Sequence, residues 1–328
     1  MDLQKSIWTE RDIEEFNVYL YSLRRKEKIE WTKSIVNTNM EVLALETKTL
    51  DDIARKIKKG NYLSFLAYNN YPYYENTIIA SRLISSIKDF DQFKAHLNTY
   101  LKYCDNWSSI DTLKFRVNSD NEEKLFNLAK KYIKSKKPFV RRTGIRIFFQ
   151  YIESERLPEV FNLIDTMKEE KHYYVNMCIA WFVCECFIKN TALTKEYLDR
   201  RSLNTFCINK TISKCNDSYR ISKEDKKYLQ KYKVTATKKS AVSTQTQNIA
   251  LQPETSEEWR EKLTKHIGKR ITIKPLTLKT QFKRGWCGVV DRVGEGGFRI
   301  RGFGGVSSYW RSFSYDDITN GKIKISFH

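Results

Sequence analysis

Through residue 233 the apolar residues recur every three or four positions, the signature of a helix with one buried stripe. In 139–153, for example, Val140, Ile145, Ile147, Phe148 and Ile152 recur near that period, with Arg141, Arg142 and Arg146 between them. The same pattern predicts helices over 10–28, 48–60, 75–88, 89–104, 121–135, 139–153, 157–168, 173–189 and 222–232. Pro138 and Pro158 fall where a first helical turn tolerates proline, because the lost N–H has no intrahelical partner there. Glycine reinforces the reading: only Gly60 and Gly144 precede residue 250, and the other ten of the 12 follow it. A turn-rich β protein would be punctuated throughout. Many short helices on short connections predict an α-solenoid of helix pairs, which buries a continuous core and offers one concave face. An irregular α-bundle satisfies the same pattern.

After residue 233 the period disappears. Residues 234–256 are rich in Thr, Ser, Lys and Gln with few large apolar side chains, the composition of a flexible linker. A short helix over 257–266 is followed by strand-like runs at 270–276, 286–293, 297–303, 309–315 and 322–327. Gly294-Glu295-Gly296-Gly297 between two of them is a hairpin turn signal. Five short strands in so few residues fit a small SH3-like or Sm-like β-barrel. The expected organisation is therefore a helical domain over 1–233, a linker over 234–256 and a barrel module over 257–328.

Composition narrows the partner. The chain of 328 residues is ample for one large core or two domains, and carries 59 Lys and Arg against 39 Asp and Glu, a formal charge of +20. That excess, with 13% aromatic residues, favours nucleic acid over a merely soluble basic protein, since cations gain by displacing counterions from phosphate. No apolar run is long enough to span a bilayer, and the polar start does not read as a secretory signal. Cys178, Cys184, Cys186 and Cys207 lie in apolar helical text and read as reduced core residues of an intracellular protein, cytoplasmic (nucleoid-associated) or nuclear. No Cys or His set has metal-ligand spacing, so neither a metal site nor a cofactor is expected.

Candidate chemistry sits at Trp107 and Asp111, four residues apart. On a helix that spacing puts both on one face, roughly 5–6 Å apart at Cβ. A carboxylate is out of place on a surface that attracts polyanions unless something positive is stabilised there. Arg141 and Arg142 at a helix start suit a phosphate backbone, which guanidinium grips bidentately; a salt bridge to a neighbour is the alternative. Trp181 lies in a very apolar helix, where tryptophan serves either as core or as a ligand platform.

In this order, the segments Asn106–Asp111, 139–144, 173–181 and 218–225 resemble the AlkD-like family of DNA alkylation repair proteins, built from HEAT-like helical repeats. The resemblance covers about residues 8–233, with 42–58 similar to the family's early repeat, and excludes the tail after 250. It implies a monofunctional glycosylase that hydrolyses the N-glycosidic bond of cationic purines, N3-methyladenine and N7-methylguanine, in double-stranded DNA. It further implies Asp111 as the catalytic carboxylate, Trp107 and Trp181 flanking the lesion's sugar, and Arg142, or else Arg141, on the adjacent phosphate. Arg146 joins them as a DNA-binding candidate. Phe182-Val183-Cys184-Glu185 departs from the family's pattern, standing where catalytic relatives carry another basic residue. A non-catalytic DNA-binding member of the family is therefore the first alternative, and a helical-repeat protein scaffold the second.

In the C-terminal module, 282–286 and 298–303 interleave basic and aromatic residues, which puts Lys283 and Arg284 forward as further DNA contacts. Ordinary strand alternation yields the same pattern, and the module fits a protein partner equally well. The expected protein is a monomer without membrane contact.

Overall fold

The computed structural model describes residues 1–234, 255–275, 286–304, 307–319 and 323–327. Its contacts divide the chain into two compact units, Met1–Lys238 and Lys239–His328. Most of the linker expected over 234–256 lies outside the described residues.

The first unit is helical, and every helix predicted from periodicity is present, most of them ending earlier than expected. The starts are chemical. Asn61, Asp89, Asn106, Asn204 and Ser222 each accept, through the side chain, the N–H three residues on, and Thr9 forms a capping box with Asp12. Such caps satisfy N–H groups that the helix itself leaves unpaired.

One row of helices stacks in sequence order: Tyr74–Ile84, Trp107–Asp111, Pro138–Phe148, Tyr173–Lys189 and Thr205–Asp217, each packed on the next. Their starts fall about 33 residues apart, a repeat that is plain in space though faint in sequence. Thr47–Lys59 packs against the first of the row and Glu122–Tyr132 against the third, giving the two layers of a solenoid. Side chains stitch the row one repeat at a time. Thr77 and Ser109 share a hydroxyl hydrogen bond of 2.6 Å, Arg142 reaches both Asp111 and the Tyr174 carbonyl, and Asn204 donates to Asn176 at 3.1 Å. Gly144 lets two helices touch: a Cβ there would meet Ile133 Cγ2 at 2.8 Å and the Ala129 carbonyl oxygen at 3.0 Å.

Five helices of this unit escaped the periodicity: Ile29–Val36, Tyr62–Tyr68, Trp107–Asp111, Thr191–Asp199 and Thr205–Asp217. The last is rich in Thr, Asn and Cys, weak helix formers. It persists because Cys207, Ile208, Thr211, Ile212 and Cys215, at helical spacing, are buried against the row.

Among its described residues the second unit holds two helices, Ser256–Thr264 and the short Tyr315–Thr319, and a five-stranded antiparallel sheet. The strands are β1 (Arg270–Pro275), β2 (Trp286–Val293), β3 (Gly297–Gly304), β4 (Ser307–Ser314) and β5 (Ile323–Phe327), ordered β4-β3-β2-β1-β5. All five match the expected runs. Among the described residues β4 and β5 are the sheet's edges and do not pair, so the curled sheet is a half-barrel rather than a closed one. A register shift between Val290 and Arg292 and the tight Gly294–Gly297 turn (Gly294 N–H to Gly297 O, 2.8 Å) bend it. Leu263, Ile271, Ile273, Val290, Phe298, Ile300, Phe313 and Ile325 form its core. No helix among the described residues is long and apolar enough to cross a membrane.

Candidate active site

Five residues are too few to hold a helix by their own hydrogen bonds, so the Trp107–Asp111 helix is clamped from outside. Asn106, fully buried, caps it through the Ser109 N–H at 2.9 Å. Ser108 Oγ shares a 2.7 Å hydrogen bond with the Tyr74 hydroxyl, and the Tyr100 hydroxyl donates to the Ser109 carbonyl at 2.7 Å. One residue ahead of the cap, Asp105 accepts from the Thr38 hydroxyl and, at 2.7 Å, from the Asn39 N–H. The Trp107 indole N–H donates to the Ile35 carbonyl at 3.3 Å, which sets the ring against the end of the Ile29–Val36 helix.

Asp111 is met by two arginines one helical turn apart. Arg142, 5% exposed, grips it in parallel: Nε to Oδ1 at 3.0 Å and Nη2 to Oδ2 at 2.6 Å. Its Nη1 donates to the Tyr174 carbonyl, so the whole fork is engaged and the carboxylate plane is fixed. Arg146 Nε lies 3.7 Å from Asp111 Oδ1, buried and without a hydrogen-bond partner. The Arg146 guanidinium carbon sits 4.5 Å from the centroids of both Phe149 and Trp181, whose rings meet edge to face at 4.7 Å. Burial pushes Arg146 below the ordinary arginine value, yet arginine stays cationic in proteins. The quadrupoles of the two rings and the nearby carboxylate supply what hydrogen bonding does not.

Asp111 is not sealed in. Its side chain is 17% exposed and opens on a groove of about 610 Å³, lined also by Asp51, Arg82, Lys114, Arg116 and Gln150. Arg82 is ion-paired with Asp51 and donates to the Ile78 carbonyl at 2.8 Å. A fixed negative group thus stands at the wall of a basic groove.

The structure brings together Asp111, Arg142, Arg146 and Trp181, with Trp107 one turn before Asp111. It separates Arg141, which is locked onto Glu170 (Nη2 to Oε1, 2.9 Å) and donates to the Ser135 and Lys136 carbonyls at 2.9 Å each. Neither member of the tandem offers a free fork: Arg141 serves Glu170, and Arg142 serves Asp111 and Tyr174. Lys283 and Arg284 lie outside the described residues. In β3 the basic–aromatic interleaving follows strand alternation: Phe298 and Ile300 are buried, Arg301 is exposed, and Arg299 Nε donates to Asp291 at 2.8 Å.

Sequence reasoning missed the carbonyls of Ile35 and Tyr174, because a backbone acceptor leaves no residue signature. It also missed the groove residues Arg82, which belongs to the preceding repeat, and Lys114 and Arg116, which follow Asp111 in a connection without helical period. After Trp181, where the family's pattern calls for another basic residue, the cation over the ring comes from the neighbouring helix as Arg146, while Glu185 accepts from Arg220 at 2.7 and 3.0 Å. Among the described residues no group of three or more Cys, His, Asp or Glu is placed to hold a metal ion.

A search of curated proteins finds none that matches the chain. The family model described as DNA alkylation repair enzyme matches residues 18–215, a span that holds Trp107, Asp111, Arg142, Arg146 and Trp181. With well over half of its length matched, the chain belongs to the DNA alkylation repair enzyme family.

Proposed function

We propose that the protein binds double-stranded DNA carrying cationic alkylated purines, N3-methyladenine or N7-methylguanine, and hydrolyses their N-glycosidic bond. The observation that carries this reading is a carboxylate, Asp111, fixed by a buried guanidinium yet open to a basic groove. A purine alkylated at a ring nitrogen is already positive and departs as a neutral molecule, so no general acid is required. The bond electrons leave with the base, and the positive charge passes to the deoxyribose as an oxocarbenium ion. A carboxylate that needs no reorientation stabilises that charge and orients the attacking water. Each oxygen of Asp111 accepts from Arg142 and has a further acceptor site. The electron-rich face of Trp107 favours the same cation, while the Trp181 ring already carries the Arg146 guanidinium.

The test is base release from duplex DNA carrying N7-methylguanine, wild type against Asp111→Asn. Release that falls at least a hundredfold in a variant still folded by circular dichroism supports the mechanism, on the scale typical of one electrostatic group at a developing charge. Wild-type release at the level of buffer, or release untouched by the substitution, refutes it. One observation favours a second reading, a DNA-binding member without turnover: two guanidinium groups already face Asp111 and offset its charge. Salt-sensitive duplex binding without base release is the outcome that selects it.

A further inference from the structure

With Arg141 held by Glu170, Arg142 by Asp111 and Arg146 between two rings, the arginines nearest the carboxylate are not the cations that meet a polyanion. Others are. The groove before Asp111 continues past Lys114 and Arg116, which line both parts, into a second recess of about 490 Å³ that also receives Lys58 and Lys88. Lys58 stands in the last turn of the Thr47–Lys59 helix, Lys88 in the connection after Tyr74–Ile84, and Lys114 and Arg116 in the connection after Trp107–Asp111. All four are exposed, and among the described residues none has an ion-pair partner, whereas Arg82 in the same groove is paired with Asp51. Their backbone is nonetheless anchored. The Lys114 N–H donates to Ser85 Oγ at 2.9 Å, and Asn121 Nδ2 donates to the Arg116 carbonyl at 3.0 Å. The recess wall carries one carboxylate, Asp120, against these four cations.

We propose that this trough holds the sugar–phosphate backbone of the DNA strand leading away from the nucleotide at Asp111, with Lys58, Lys88, Lys114 and Arg116 as its phosphate contacts. The inference rests on the DNA reading above. Four unpaired cations from three chain segments, spread along an open channel, match a repeating anion; a single phosphate would meet only part of them. Flexible side chains of this kind bind chiefly by releasing counterions, so their contribution is read in the salt dependence of affinity.

The experiment measures binding of a fluorescent duplex by anisotropy across a salt series. It compares wild type, the variant Lys58→Gln/Lys88→Gln/Lys114→Gln/Arg116→Gln, and a control with the same charge loss, Lys168→Gln/Lys223→Gln/Lys227→Gln/Lys233→Gln. Each phosphate contact contributes about 0.9 to the slope of log K against log salt. The trough variant should therefore lose a slope of roughly 3–4 while the control keeps the wild-type slope. A trough variant whose slope stays within about 1 of wild type, or a control that loses as much, overturns the proposal. Competition by a mononucleotide as effective as that by the duplex would also overturn it, by marking a single-anion site. Wild type that binds no duplex at any salt would instead refute the DNA reading itself.

Discussion

Removing one member of the Arg142–Asp111 pair should destabilise the helical unit far more than a surface ion pair would. The two side chains are 6% and 17% exposed, and the fork makes two hydrogen bonds to the carboxylate and one to the Tyr174 carbonyl. Breaking so enclosed a pair costs about 3–5 kcal/mol, chiefly because the survivor stays charged and desolvated. The singles should differ. Asp111→Leu strands Arg142 without an anion and belongs at the upper end. Arg142→Met leaves Asp111 facing Arg146 at 3.7 Å and belongs at the lower. Losses of this size lower the Tm of a domain of this length by roughly 10 °C. The double variant Asp111→Leu/Arg142→Met removes both charges and should be more stable than Asp111→Leu alone, with a coupling of about 2 kcal/mol. The Tyr174 carbonyl then lacks its donor, at about 1–3 kcal/mol, and Arg146 keeps its two rings but loses its nearest carboxylate. Urea unfolding followed by far-ultraviolet circular dichroism measures all four corners of the cycle, since the helical unit dominates that signal. Effects that add within about 0.5 kcal/mol would refute the claim that the pair acts as a unit.

Gly144→Ala should lower stability by about 1–2 kcal/mol, because the overlap with Ile133 and Ala129 outweighs the roughly 0.5–1 kcal/mol of helix propensity gained. A raised urea midpoint would show that the helices part without cost. His172, between Phe139 and Tyr174, has its pKa lowered from 6.5 by burial. The unfolded chain therefore binds this proton more readily, and the stability tied to the neutral ring is present above pH 6.5 and lost as pH falls below it. Melting curves from pH 7.5 down to 5 should show a smaller acid loss in His172→Gln than in wild type; parallel curves would contradict the assignment.

What the sequence revealed depended on how local the cause was. The row helices with strong apolar stripes, such as Pro138–Phe148, follow from periodicity alone, and all five strands follow from alternation and glycine placement. Thr205–Asp217 does not, because three of the five residues of its stripe are Cys or Thr and the stripe stabilises only against the preceding repeat. The site divides in the same way. Trp107 and Asp111 stand out as a local oddity, and the resemblance puts Arg142 forward for the adjacent phosphate. Its partner is another matter: that Arg142 turns inward to Asp111 across 31 residues depends on repeat stacking, which no window along the chain contains. Tandem arginines read as phosphate contacts because nothing local names Glu170 as the partner of Arg141.

The external clamping of the Trp107–Asp111 helix bears on when the site exists. A segment that cannot nucleate alone, and whose polar groups close on Tyr74, Thr77 and Tyr100, acquires its geometry only after the flanking repeats have docked. Partial unfolding at either end of the solenoid that spares these neighbours and Arg142 leaves the carboxylate aimed. Loss of the repeat before it erases Trp107 and Asp111 together. Asp111 is thus an all-or-none element, with a lifetime set by the cooperative core rather than by its own short helix.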